Sequence, residues 1–143
     1  MNTTDAEIKT VLQTYRKITV LGLSPDRKKA SHRIPMFMRT QGYEIVGVYP
    51  EKTEIAGVIM YQRLSDVPPA DRAFINVFRR GEKIPQVVDE LLGTGGVEVM
   101  WLQLGIVNTS AETRAEAAGL SVVSDRCLLI EYNRHFRPVP EAR

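Results

Sequence analysis

Lys17-Ile18-Thr19-Val20-Leu21-Gly22-Leu23 runs into Ser24-Pro25-Asp26-Arg27-Lys28-Lys29-Ala30, and Ser31-His32-Arg33 follows. An apolar run of strand length that passes through a glycine and opens a helix is the first strand-to-helix turn of a nucleotide-binding sheet. Free backbone N–H groups and the positive end of the helix dipole converge on one spot there. Arg27, Lys28, Lys29 and Arg33 add cationic side chains around it. The guest this chemistry favours is an anion with several phosphates.

The rest of the chain repeats the pattern. Thr4 and Glu7 form a capping box, and Ile8, Val11, Leu12 and Tyr15 follow at helical spacing, so residues 1–16 read as a lead-in helix. After strand one (17–23), a helix is expected from Ser31 to Gln41, with Pro35 near enough to its start to be tolerated. Strand two is expected at 43–48 and a short edge strand at 58–60. Residues 64–69 read as a helical turn and stop. Ala73-Phe74-Ile75-Asn76-Val77-Phe78 is a strand apolar on both faces, as a covered parallel strand is. A helix then spans 84–92, with Pro85 in its first turn and Gly93 beyond its end. Next come a strand at 97–102, a helix capped by Thr109 with Glu112 and ended by Gly119, and a strand at 120–124. Residues 127–136 form a short covering helix, and 137–143 a loose tail.

Alternating strands and helices predict an α/β fold, a Rossmann-like doubly wound parallel sheet in the order 3-2-1-4-5-6, with helices on both faces. The 143 residues suit one domain over 1–143. Its crevice opens between strands one and four, where the basic loop meets Arg79-Arg80-Gly81. The loop after Val48 borders the same end.

Composition narrows the classes. A net charge of +2 is too small to imply a nucleic-acid binder, and the basic character concentrates at 27–33. The single Cys127 excludes an internal disulfide and fits a reducing compartment. A polar, acidic beginning with no apolar h-region, and no apolar run of membrane length, point to a cytoplasmic chain without a membrane partner.

Rival chemistries find poor support. A dinucleotide fingerprint starting at Gly22 continues with Ser24 and Arg27, where a flat-lying pyrophosphate needs glycines. At the end of strand two, where a ribose-binding acid belongs, stands Tyr49. A nucleophile elbow around Ser24 needs glycine where Asp26 stands. No cluster of ligands at metal-binding spacing is present, so no metal is expected. Cys127 and Trp101 read as packing residues. Arg79-Arg80 and Lys52 are candidate anion contacts, by their position at strand ends.

Several segments together resemble one family: Val20-Leu21-Gly22-Leu23-Ser24-Pro25, Ser31-His32-Arg33, Val48-Tyr49-Pro50, Val77-Phe78-Arg79, Trp101-Leu102-Gln103-Leu104-Gly105, Ala118-Gly119-Leu120 and Asp125-Arg126-Cys127. In this order they are similar to the small single-domain CoA-binding proteins, whose fold is like the N-terminal domain of the succinyl-CoA synthetase α subunit. The resemblance implies coenzyme A or an acyl-CoA as ligand. It implies a site of Gly22, Leu23 and Ser24 at the phosphates, with Arg27, Lys28, Ser31 and Arg33 beside them. Tyr49, Pro50 and Lys52 would border the nucleotide from one loop, and Val77, Phe78 and Arg79 from another. Leu23 and Tyr49 depart from the family's usual alanine and asparagine, and both are expected at the ligand's edge. The synthetase's phosphorylated histidine belongs to a domain outside this chain, so its ligase chemistry does not transfer. The favoured function is non-catalytic binding of CoA or acyl-CoA. The alternative is an NAD(P)-type oxidoreductase, or a CoA-transferring subunit that needs a partner chain. A protein partner or a homo-oligomer is compatible with either.

Overall fold

The computed structural model describes residues 3–55 and 57–136. Its six strands are β1 (Lys17–Leu21), β2 (Glu44–Val48), β3 (Ile59–Tyr61), β4 (Phe74–Val77), β5 (Val99–Leu102) and β6 (Ser121–Val123). They form one sheet in the order β3-β2-β1-β4-β5-β6, every neighbouring pair parallel. The helices are α1 (Asp5–Thr14), α2 (Ala30–Thr40), α3 (Ile84–Thr94), α4 (Thr109–Ala117) and α5 (Leu128–Phe136). The expected doubly wound fold is the observed one. Strand order reverses between β1 and β4, which places the topological switch point at the turn after β1.

Side-chain alternation along the strands divides the interior into two cores. Leu21, Val46, Val48, Ile75, Val77, Met100 and Leu102 pack on one face with Ile84, Val88 and Leu91 of α3 and Ala111 and Ala115 of α4. Ile18, Val20, Ile45, Phe74, Val99 and Trp101 pack on the other with Ile8 and Leu12 of α1, Met38 of α2 and Leu128 of α5. Trp101 stacks on Phe74, and its indole N–H donates to the carbonyl of Arg126 at 2.8 Å. It is a core residue, as is the buried, free Cys127.

The differences from expectation lie at element ends, where a single hydrogen bond decides. Strand β1 stops at Leu21, because Gly22 turns to φ +93° and gives its N–H to the carbonyl of Val48 at 2.8 Å. Helix α2 starts at Ala30, so Pro35 lies in its second turn and withholds an N–H from the carbonyl of Ser31. Helix α3 continues through Gly93 to Thr94. Gly95, at φ +80°, supplies the stop and bonds the carbonyl of Leu91. The cap of α4 is Asn108 and not Thr109. Its side-chain oxygen accepts from the N–H of Ala111 at 3.1 Å, and Glu112 reaches back to the N–H of Asn108 at 2.8 Å. On the lead-in helix the Thr4–Glu7 cap forms as read. The expectation of a loose tail at 137–143 falls outside the described residues. Among the described residues no helix is long and apolar enough to cross a membrane.

Candidate functional site

The turn after β1 is built from backbone first. Phe78 donates its N–H to the carbonyl of Leu21 at 2.9 Å, which draws the start of the next loop against Gly22. A Cβ on Gly22 would stand 2.7 Å from the carbonyl oxygen of Phe78 and would collide with the Arg79 guanidinium. Only glycine admits this approach, and the approach holds a cation directly over the turn.

Ser24 is buried, and its side chain serves the loop. The Oγ accepts the N–H of Asp26 at 3.0 Å, and the Ser24 carbonyl lies 2.7 Å from Nδ1 of His32. A carbonyl only accepts, so that ring nitrogen carries the proton and donates. Asp26 continues the chain of contacts. Its carboxylate accepts from the N–H of Lys28 at 3.0 Å, and its carbonyl accepts from the N–H of Lys29 at 3.1 Å. Loop 24–29 is thus tied down by its own polar groups before any ligand arrives. It delivers α2 with Lys29 at the N-cap, no capping side chain and no acid in the first turn. An uncapped, acid-free helix start is open to an external anion.

Three hollows flank this turn along the carboxyl ends of the strands. On the β2 side, Pro25, Arg27, His32, Met36, Glu54 and Ile55 line one of about 290 Å³. Glu54 and Ile55 are shared with a neighbour of about 630 Å³, where Lys52, Thr53, Val58 and Met60 complete the wall. On the β4–β5 side, a hollow of about 470 Å³ lies between Ala30 and Ser31 of α2, Phe78, Arg79, Arg80 and Gly81 after β4, and Leu104, Gly105 and Ile106 after β5. The first turn of α2 separates the two sides, since Ser31 faces one and His32 the other.

The CoA-binding domain model matches residues 16–133, which takes in every strand and all the loops just described. This chain belongs to the CoA-binding domain family. A Bacillus subtilis protein, described as uncharacterized protein YneT, is 37% identical over 132 residues, covering 92% of this chain and 96% of that one. The solved structure of cell-free ID.343 from Thermus thermophilus is 32% identical with a TM-score of 0.84, covering 94% of this chain and all of the other. The apo dinucleotide-forming acetyl-coenzyme A synthetase 1 of Ca. Korarchaeum cryptofilum shares the fold alone. There the TM-score is 0.65 at 20% identity, over 77% of this chain and 26% of the synthetase.

Measured against the site expected of a CoA-binding domain, the residues fall into three groups. Gly22, Ser24, Ser31, Phe78 and Arg79 come together at the turn and the β4–β5 hollow, and Arg27 and Lys52 line the β2-side hollows. Lys28 and Arg33 are exposed and line none of the three, while Tyr49 and Pro50 are held by hydrogen bonds to Tyr61 and Gln62. Leu23 and Val77 form the third group: their side chains are fully buried in opposite cores, Leu23 against the backbone of Gly47. Val77 turns inward with the pleat of β4, whereas Leu23 lies beyond the end of β1, where Gly22 at φ +93° breaks the alternation and sends it to the core opposite Leu21.

Other residues enter the site that sequence reasoning had passed over. His32 fastens the turn, and Glu54 sets a carboxylate among the cations. Arg80, already a candidate anion contact by its position after β4, lines the crevice while pairing with Glu82 at 3.5 Å. Asn76 and Gln103 line none of the three hollows but lie buried side by side, the Asn76 amide nitrogen 3.4 Å from the Gln103 carbonyl oxygen. The other polar atom of each has no partner. The polar Asn76 within an apolar strand was the available signal.

One group of metal-ligating residues also converges, far from these loops in sequence: Asp5, Glu131 and His135, with ligand atoms within 4.8 Å of one another. Arg134 already bonds both carboxylates, at 3.0 Å to Asp5 and 2.7 Å to Glu131. That guanidinium supplies the positive charge a metal would bring.

Proposed function

We propose that this chain binds coenzyme A or an acyl-CoA along the carboxyl edge of its sheet, as a binding module and not as a self-sufficient catalyst. The observation that carries the reading is the Arg79 guanidinium packed over the Gly22 turn, beside an uncapped helix start. A diphosphate set there meets backbone N–H groups and a charge-assisted partner together, and such bonds are about twice as strong as neutral ones. The β2-side hollows, with Met36, Ile55 and Met60 between Arg27 and Lys52, suit a flat base and a phosphomonoester. Family membership supports CoA binding in general. The reading as a module is supported by what surrounds the turn: His32 Nδ1 donates to a backbone carbonyl and not to a carboxylate, and the buried Ser24 hydroxyl accepts from the N–H of Asp26, with no hydrogen bond to the His32 ring.

Calorimetric titration with CoA, dephospho-CoA and NAD tests the proposal, alongside native mass spectrometry of protein purified without added ligand. The expected result is a retained CoA-sized mass, micromolar affinity for CoA and much weaker binding of NAD. NAD binding as tight as CoA overturns it. Loss of the 3′-phosphate and replacement of Arg27, Lys28 and Lys29 by alanine are expected to weaken binding less together than the sum of their separate effects. Simple additivity would transfer the phosphomonoester to Lys52.

A further inference from the structure

We infer that the loop after β5, residues 103–108, is the apolar end of this site, and that the ligand it serves is an acyl-CoA with an apolar acyl chain rather than free CoA. The inference rests on the reading of the crevice as a CoA site and extends it to the group beyond the phosphates. Leu104 is 58% exposed and Val107 53% exposed, two of the largest apolar exposures among the described residues, within one short loop. Leu104, Gly105 and Ile106 form the wall of the 470 Å³ hollow that faces Ala30, Ser31 and Arg79. The hollow is therefore two-faced, with helix N–H groups and cations on one wall and aliphatic carbon on the other. No residue from Gln103 to Asn108 carries a charge, so this wall offers a phosphate no charged side chain.

The loop holds these side chains out by construction. The N–H of Gly105 donates to the Asp125 carboxylate at 2.7 Å, and Asp125 adopts φ +56°, rare for a residue with a side chain. The N–H of Ile106 closes a turn on the carbonyl of Gln103 at 2.9 Å. The Asn108 amide donates to the carbonyl of Gly81 at 3.0 Å, and Gly81 sits so close to Val107 that a Cβ would stand 2.6 Å from its carbonyl oxygen. A loop fastened at both ends cannot fold Leu104 inward when the site is empty. An apolar surface held open at the mouth of an anion-binding crevice matches an amphiphile whose charged end occupies the other wall.

The test is a titration series with CoA and its acetyl, butyryl, hexanoyl and octanoyl thioesters, against wild type, Leu104→Ser, Val107→Ser and the remote surface variant Ile130→Ser. Burying a methylene is worth about a fourfold gain in affinity. Affinity is expected to climb by about two- to fourfold per added methylene until the chain outgrows the loop. The climb should flatten in Leu104→Ser, weaken in Val107→Ser and persist in Ile130→Ser, with thermal melts confirming that each variant folds. If wild type binds CoA and all thioesters alike, the acyl assignment is overturned while the CoA reading stands, and the exposed loop becomes a contact for another protein. If no member of the series binds wild type, both readings fall.

Discussion

Replacing Gly22 by alanine probes the turn on which the site is built. At φ +93° an L-residue carries a conformational penalty of roughly 1–2 kcal/mol. The new methyl group would also stand 2.7 Å from the Phe78 carbonyl oxygen. That oxygen cannot simply retreat, because the N–H of Phe78 is bonded to Leu21 across the β1–β4 junction. Overpacking of this kind typically costs about 1–3 kcal/mol. The two effects together predict a loss of roughly 2–5 kcal/mol, a fall in Tm on the order of 10 °C for a chain near this size. Gly119→Ala is the matched control. It has φ +97° and no atom within 4 Å of the added Cβ, so it bears the backbone penalty alone. Urea denaturation of both variants isolates the steric part, expected at about 1–3 kcal/mol in excess for Gly22→Ala. Equal losses would refute the reasoning, for they would mean that Phe78 and Arg79 do not close over the turn.

Two further outcomes follow from the buried polar groups. Asn76→Leu should cost about 1–3 kcal/mol by leaving the Gln103 side-chain carbonyl oxygen unpaired, and the double variant with Gln103→Leu should lose less than the sum of the single losses, which additive urea midpoints would contradict. Tyr43 is raised above the ordinary tyrosine value of about 10, first by burial, while its hydroxyl donates to the carbonyl of Leu12. With the folded value above the unfolded one, its stabilising share is complete below pH ~10 and is lost as pH rises through the folded value. Lys17, raised mainly by its hydrogen bond to Asp71, acts in the same alkaline window, so the comparison of wild type with Tyr43→Phe is what isolates the tyrosine. The variant should start lower at neutral pH and decline less steeply above pH ~10, and a parallel decline in denaturation midpoints would reject the assignment.

The amino-acid order by itself determined the architecture. Apolar runs of strand length alternating with amphipathic helices admit little besides a doubly wound parallel sheet, because each strand must be covered on both faces. The glycine after Leu21 and the cations at 27–33 marked the turn, since a positive φ and a local charge are properties of a few adjacent residues. The cap at Asn108 instead of Thr109, and the stop at Gly95 instead of Gly93, were misplaced by one or two residues. Several residues competed there for the same local bond, and packing chose among them. Only the tertiary structure decided what meets what. It set Arg79 over Gly22, brought Glu54 and Arg27 to the wall of one hollow, turned Leu23 and Val77 inward, and let Asp125 fasten the loop that carries Leu104. These contacts join segments separated by whole crossover units. Their geometry depends on strand register and helix packing, which no local run of residues encodes.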